Sequence, residues 1–310
     1  MKSEVVVYCL TYNHKKYIYQ TLDGFVNQKT NFPFKVIVHD DASTDGTSEI
    51  VKDYAMRYPD IIIPIFQKEN QYSKNISIFE QFIQPKIDAK YTAICEGDDY
   101  WCDENKLQIQ YDYMELHPSC ALCVHNTEMI AESGASLGKY FNYSKIDTDY
   151  KAEDVIKSGP GGLFHTSSFL YRTELRRERP SEFEMKYVGD YPLAIYLSCN
   201  GEVHYFARTM SKYRVGSMGS WVKVNSRNKS SKVLHLKDMI ESLNKMDVYT
   251  HKHYHTQFCT VIDNAKFELS QYESGLVKTI LNSQYRNIFR TFSAKKKIKT
   301  VLNSLRNMRG

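Results

Sequence analysis

The sequence has no apolar run of about 18 residues, the length that a membrane-spanning helix requires. Its start lacks the charged and then apolar pattern of a secretory leader, because Met1-Lys2-Ser3-Glu4 runs straight into a strand-like segment. The expectation is a cytoplasmic protein, or one on the cytoplasmic face of a membrane. There is no Gly-x-Gly-x-x-Gly and no Walker loop, which excludes the usual dinucleotide and P-loop sites. Cysteine is sparse: seven residues, an odd number without framework spacing, fit a reducing compartment rather than a disulfide scaffold. Cys120-Ala121-Leu122-Cys123 lies in an apolar run with no second pair, so it reads as two core thiols and not as a zinc site. Acidic residues are missing from a whole region. None follows Glu273, and from Trp221 to the end there are 17 Lys and Arg against 6 Asp and Glu. The first 220 residues hold 24 against 30, so the net charge of +5 conceals a mildly acidic body and a basic tail. Such asymmetry suggests a tail that meets an anionic surface.

What is present is ordinary for a soluble protein, with 42% hydrophobic and 25% charged residues. The 24 tyrosines suit contact with sugars, although biased composition is the simpler account. The stretch that organises the chain is Ala93-Ile94-Cys95-Glu96-Gly97-Asp98-Asp99-Tyr100-Trp101. An apolar run stops at three carboxylates, with a glycine among them and two aromatics after. Acids this close repel one another unless a cation sits between them.

Residues 5–10, 34–38, 61–66 and 91–95 read as buried strands. Between them, helical spacing aligns Ile18, Leu22, Phe25 and Val26, and then Ile50, Val51, Tyr54 and Ala55; residues 76–83 also look helical. The alternation predicts a parallel sheet with helices on both faces, where ligands bind beyond the carboxyl ends of strands. Three strands end in polar clusters that would share one edge: Thr11-Tyr12-Asn13, Asp40-Asp41 and Glu96-Gly97-Asp98-Asp99. Downstream the pattern predicts a helix over 104–116, a short strand at 121–124, loops over 128–150, and a strand reaching Tyr171. An apolar helix should follow Val188-Gly189-Asp190-Tyr191, with closing strands at 202–206 and 210–215. After Ser220 two helices are expected, near 234–243 and 254–269. A third should start near Val277, with Leu281, Tyr285, Ile288 and Phe292 on one stripe that Ile298, Val301, Leu302 and Leu305 continue. The expected division is a catalytic domain over 1–220 and a basic helical region over 221–310.

Val5-Val6-Val7-Tyr8-Cys9-Leu10-Thr11-Tyr12-Asn13 resembles the first strand of family 2 glycosyltransferases of the GT-A fold. Val36-Ile37-Val38-His39-Asp40-Asp41-Ala42-Ser43-Thr44-Asp45-Gly46-Thr47 is similar to that family's second-strand motif, V-D-D-G-S-T-D-G-T. Glu96-Gly97-Asp98-Asp99 stands where the family carries D-x-D-D, and with Tyr100-Trp101 it looks like the variant of bacterial enzymes of surface polysaccharide, such as capsule, synthesis. The resemblance covers about residues 4 to 215 and is closer in the first half. It implies a Rossmann-like, mostly parallel α/β sheet flanked by helices, with a C-terminal helical extension. It also implies an inverting, metal-dependent enzyme that moves a hexosyl or N-acetylhexosaminyl group. The donor would be a nucleotide-sugar, UDP foremost, and the acceptor a glycan or a lipid-linked molecule.

The resemblance assigns roles residue by residue. Asp98 would ligate Mn²⁺ or Mg²⁺, which neutralises the leaving diphosphate. Glu96 would face the ribose, although it is longer than the usual aspartate. Asp40, with Asp41 beside it, would accept a hydrogen bond from uracil, and Thr11, Tyr12 and Asn13 would pack along the nucleobase. Asp190 would be the general base, unless it only caps the helix after it. His165 could approach the acceptor or be structural; Tyr100 and Trp101 could stack on a sugar face or belong to the core. Asp45 reads as a helix cap, and Lys74 as a solvated lysine. Relatives often carry a histidine after the Tyr-Arg pair, where this chain has glycine among residues 215–221. Two other readings compete. A nucleotidyltransferase would want a Gly-x-Gly-x-Arg loop where this chain has Thr11-Tyr12-Asn13-His14. A non-catalytic glycan-binding or scaffold protein would not need Asp98 and Asp190. The basic tail suits either an amphipathic helix on an anionic membrane or a helix packed on the catalytic domain; nucleic acid is not expected.

Overall fold

The computed structural model describes residues 3–74, 76–217 and 229–307. They fall into two compact units, one formed by Met1–Arg179 with Leu193–Lys223, the other by Pro180–Pro192 with Val224–Gly310. The first is built on a ten-stranded sheet. Its strands are β1 (Val5–Thr11), β2 (Phe34–Asp40), β3 (Ile62–Phe66), β4 (Tyr91–Ile94), β5 (Tyr100–Trp101), β6 (Cys120–Ile130), β7 (Ser136–Tyr140), β8 (Thr148–Tyr150), β9 (Leu170–Arg172) and β10 (Glu202–Arg214). They lie in the order β3-β2-β1-β4-β9-β6-β10-β5, with β7 on β6 and β8 on β10.

The sheet is parallel where the sequence alternates strand and helix. β1 pairs in parallel with β2 and β4, and β2 with β3. Helices α1 (Ile18–Val26) and α2 (Thr47–Arg57) supply the crossovers. α1 buries Ile18, Leu22 and Phe25, and α2 buries Ile50, Val51 and Tyr54, against Val5, Val7 and Cys9 of β1 and Val36 and Val38 of β2. The other face of β1 carries Tyr8, whose ring lies 5.1 Å from that of Phe79. With both faces covered, the inner strands can be continuously apolar.

The second half departs from the mostly parallel expectation. β9 runs antiparallel to both β4 and β6, while β10 is parallel to β6. Residues 128–150, expected as loops, instead extend β6 and supply β7 and β8. Polarity misled there because β7 is an exposed edge strand, with little apolar side chain to signal it. The two expected closing strands are one, β10, bent by register shifts between Phe206 and Ser211. Residues 76–83 give only a single wide turn, Phe79–Ile83.

Helix α3 (Lys106–Leu116) runs along this sheet. Cys120 and Cys123 are fully buried free thiols, as their apolar setting predicts. Lys106 is also fully buried, and its ammonium lies 3.9 Å from the centre of the Trp101 ring with no hydrogen-bond partner. Burial pushes its pKa down to about 7. Shorter helices α4 (Ala152–Ser158) and α5 (Thr173–Arg177) complete this part of the chain, and α6 (Asp190–Cys199) precedes β10.

The second unit is helical: α7 (Lys229–Tyr249), α8 (His255–Ser274), α9 (Leu276–Leu281), α10 (Ser283–Thr291) and α11 (Ala294–Asn307). α7 buries Leu236, Met239, Leu243 and Met246, and α8 buries Phe258, Val261, Ile262 and Phe267. The single helix expected from Val277 is three. Asn282 interrupts it, its side chain accepting the Gln284 N–H at 3.0 Å to cap α10. Phe289 and Phe292 pack on Phe267, with ring centres 5.9 and 5.2 Å away. Among the described residues, no helix is long and apolar enough to cross a membrane.

The buried amine gives a pH signature. Above pH 7 Lys106 is neutral in the fold, whereas in the unfolded chain it stays charged to about pH 10. The unfolded state then binds more protons, so stability rises with pH. Urea titrations should show a gain of about 2 kcal/mol between pH 7 and 9 that the Lys106→Met variant lacks. At pH 7 the variant should already be the more stable protein.

Candidate active site

β1, β2 and β4 end side by side. Thr11 pairs with Asp40, the Gly97 N–H donates to the Leu10 carbonyl at 2.9 Å, and the Asp41 N–H donates to the Thr11 carbonyl at 3.0 Å. The three polar clusters therefore share one edge of the sheet. Gly97 is required by this convergence. A Cβ there would sit 2.6 Å from Thr11 Oγ1 and 2.9 Å from His14 Nδ1. The turn is held from behind by Thr21, whose hydroxyl reaches the carbonyls of Gly97 at 3.0 Å and Asp99 at 2.6 Å.

Within the acidic turn the carboxylates face different ways. Glu96 is exposed. Asp98 is 7% exposed, and its Oδ2 accepts a hydrogen bond from the Ser217 hydroxyl. Asp99 is buried and accepts the Arg214 N–H at 2.8 Å. Burial, and then the charge of Asp98, push the Asp99 pKa well above the usual carboxylate range. Asp99 Oδ2 lies 3.6 Å from His165 Nε2. The Ser167 N–H donates to His165 Nδ1, and burial lowers the histidine's pKa to about 4. His165 packs against Phe141 and Tyr213, whose rings also touch each other.

Arg214, at the end of β10, ties the turn down. Besides its N–H to Asp99, its Nε donates to the Asp98 carbonyl at 3.1 Å. Its two terminal nitrogens reach the Glu132 carbonyl at 2.9 Å and Gln20 Oε1 at 2.6 Å, and its plane lies over the Tyr17 ring at 4.7 Å. Lys16, Tyr17, Gln20, Glu132, Ser133 and Arg214 line an open depression.

The remaining expected residues are placed as follows. Tyr12 is 41% exposed at the end of β1. Asn13 has a left-handed φ of 55° and braces the neighbouring loop: its N–H donates to Ser43 Oγ at 2.9 Å, and its side chain accepts the Thr44 N–H at 2.8 Å. Thr11 is buried, its hydroxyl without a hydrogen-bond partner. Asp40 is 1% exposed, and its two oxygens accept the hydroxyls of Ser43 and Ser48. Asp41 accepts the N–H groups of Gln71 at 2.7 Å and Tyr72 at 3.1 Å. Both carboxylates hold their own loops. Asp45 accepts the Thr47 N–H at 3.0 Å, but the cap position of α2 is taken by Gly46 and not by Asp45. Lys74 pairs with Glu69 at the surface.

Trp101 is not on an acceptor face. It is 3% exposed, packs edge-on against Phe25, and donates its indole N–H to the Ser167 carbonyl at 2.8 Å. Tyr100 is half-buried beside it. Asp190 opens α6, in the unit that contains residues 180–192, and its carboxylate accepts the Tyr191 N–H at 2.7 Å. Burial pushes the Asp190 pKa up. The position expected for a family histidine extends into residues 218–221, outside those described.

Sequence reasoning missed Arg214 and Ser217, which stand 115 or more positions from the acids they hold. No local pattern announces such a partner. His14 lies in the first cluster without an expected role; burial holds its pKa low, against the opposing charges of Asp98, Asp45 and Asp40. Among the described residues, no three His, Cys, Asp or Glu side chains come together as a metal cage.

The sequence matches the profile of glycosyl transferase family 2 over residues 6–178, and the chain belongs to that family. Over 214 residues it is 33% identical to the uncharacterised protein Rv1520 of Mycobacterium tuberculosis, covering 68% of this chain and 59% of that one. Over 231 residues it is 28% identical to the abequosyltransferase RfbV of Salmonella typhimurium, covering 66% and 65%. The chain thus spans about three fifths of the length of these relatives. Staphylococcus aureus TarS 1-349 in complex with UDP shares the fold, with a TM-score of 0.58 at 14% identity over 97% of this chain and 78% of that one.

Gly97 offers a direct check on the convergence. Gly97→Ala should destabilise the protein by about 1–3 kcal/mol, because Thr11 on a central strand has no room to retreat. Thermal melting would then show a drop of several degrees, and an unchanged midpoint would mean that the turn stands off β1.

Proposed function

We propose that this protein is an inverting, metal-dependent glycosyltransferase. It would move a sugar from a nucleotide-sugar, preferentially a UDP-sugar, to a glycan or lipid-linked acceptor in surface polysaccharide synthesis. The observation that carries the proposal is the placement of the Asp98 carboxylate and exposed Glu96 at the end of β4, beside Tyr12 at the end of β1. This is where open α/β sheets bind nucleotides. Tyr12 would cover the nucleobase and Glu96 the ribose. Asp40, Asp41, Asn13 and Thr11 would act by shaping the floor of the donor site.

The donor set fits a hard divalent cation. Asp98 and the Ser217 hydroxyl bonded to it offer oxygen and no soft ligand, the chemistry that Mg²⁺ and Mn²⁺ prefer. Asp98 would be the protein ligand, with diphosphate and water oxygens completing the shell. Bound there, the ion would stabilise the charge of the leaving diphosphate. Arg214 and Thr21 would keep the Asp98 backbone in place, so that little reorganisation is needed during the reaction.

Asp190 would take the proton from the acceptor hydroxyl. A carboxyl whose pKa is raised by burial is a better base than an ordinary aspartate. Direct attack by that hydroxyl on the anomeric carbon gives inversion.

A screen of sugar nucleotides, with and without Mn²⁺, tests the activity. Asp98→Ala should lower metal-dependent donor turnover by at least a hundredfold, roughly the effect of losing about 3 kcal/mol of transition-state stabilisation. Asp190→Asn should keep donor binding, measured by calorimetry, and lose transfer by a similar factor. Near-normal transfer by the asparagine variant would place the base elsewhere.

A further inference from the structure

α11 presents its two faces the wrong way round for a helix whose partner is its own unit. Ile298, Val301 and Leu302 recur at the spacing of one helical stripe, and they are 62, 40 and 51% exposed. Lys296, on the opposite side, lies over the Phe292 ring at 3.7 Å and donates to Asn264 Oδ1 at 2.9 Å. Lys296 thus reaches the neighbouring helix, while the apolar stripe faces solvent. Lys295 and Lys299 border the stripe on one side and Lys297 on the other. From Ser274 to the end the sequence has nine Lys and Arg and no Asp or Glu. Val277 and Leu281 of α9 add further exposed apolar surface in the same basic region.

We propose that α11 docks in the interface of a membrane leaflet rich in acidic lipid headgroups. Ile298, Val301 and Leu302 enter the acyl boundary, and the bordering lysines meet the phosphates. A second copy of the chain is a poor occupant, because a symmetric pairing would set the two basic faces against each other. A nucleic acid would satisfy the lysines but leave the aliphatic stripe in water. The lipid surface alone complements both. This inference goes beyond the catalytic reading and does not rest on it.

The full chain is tested by flotation with vesicles of phosphatidylcholine, with and without phosphatidylglycerol. It should float only with the anionic vesicles, and less as salt rises. Two variants separate the contributions: Ile298→Gln with Val301→Gln and Leu302→Gln, and Lys295→Gln with Lys299→Gln. Each should reduce vesicle partitioning by roughly tenfold or more, with circular dichroism unchanged because the altered side chains are exposed. Equal flotation on neutral vesicles, absence of flotation, or full binding by the apolar-stripe variant would overturn the proposal. So would a dimer, seen by light scattering, that the apolar-stripe variant dissolves, since a second copy would then cover the stripe.

Discussion

Two adjacent aspartates at the end of a central strand must be kept together against their mutual repulsion, and a single arginine does most of this. Arg214 gives its backbone N–H to the Asp99 carboxylate, while its guanidinium donates through Nε to the Asp98 carbonyl and through its terminal nitrogens to the Glu132 carbonyl and Gln20 Oε1. A guanidinium can hold several acceptors in one plane, which a lysine cannot. Charge-assisted bonds of this kind are worth about 1.5–3 kcal/mol each, enough to set the shape of a short turn. The two acids are unequal. Asp99 is withdrawn into the protein, where burial and the Asp98 charge raise its pKa against the opposing effect of Arg214, while Asp98 keeps a carboxylate at the edge of the sheet that accepts the Ser217 hydroxyl.

The layers beneath serve that division. Trp101 anchors the residue pair that follows the acids, with Phe25 against its edge and the Lys106 ammonium against its face. A buried amine without a hydrogen-bond partner is costly, and its lowered pKa is the sign of that cost. The indole face offsets part of it through cation–π attraction. Asp40 and Asp41 belong to the same supporting layer. Their oxygens are taken by Ser43, Ser48, Gln71 and Tyr72, so they order the loops after β2.

The helical unit follows a different logic. Its core is conventional, with Phe267 gathering Phe289 and Phe292. The break at Asn282 lets α10 fold back onto that core, which a continuous helix would not allow. α11 then leaves its aliphatic stripe in solvent, bordered by lysines.

Much of the fold was legible in the sequence. The apolar runs of β1, β2 and β4 and the helical spacing of Ile18, Leu22 and Phe25 are local patterns, and they announce a parallel sheet with covered faces. The exposed strand β7 was not legible, because polar edge strands carry no apolar alternation. At the site, the sequence by itself determined which strand ends carry polar clusters and that three of them meet, since parallel strands all end on the same side. Only the tertiary structure decided what each acid faces. Whether a carboxylate looks outward or is held within depends on partners such as Arg214 and Ser217, which no local periodicity relates to the acids they hold. The same holds for Trp101, whose chemistry suits a sugar or a core equally well; its burial against Phe25 and Lys106 settled that choice.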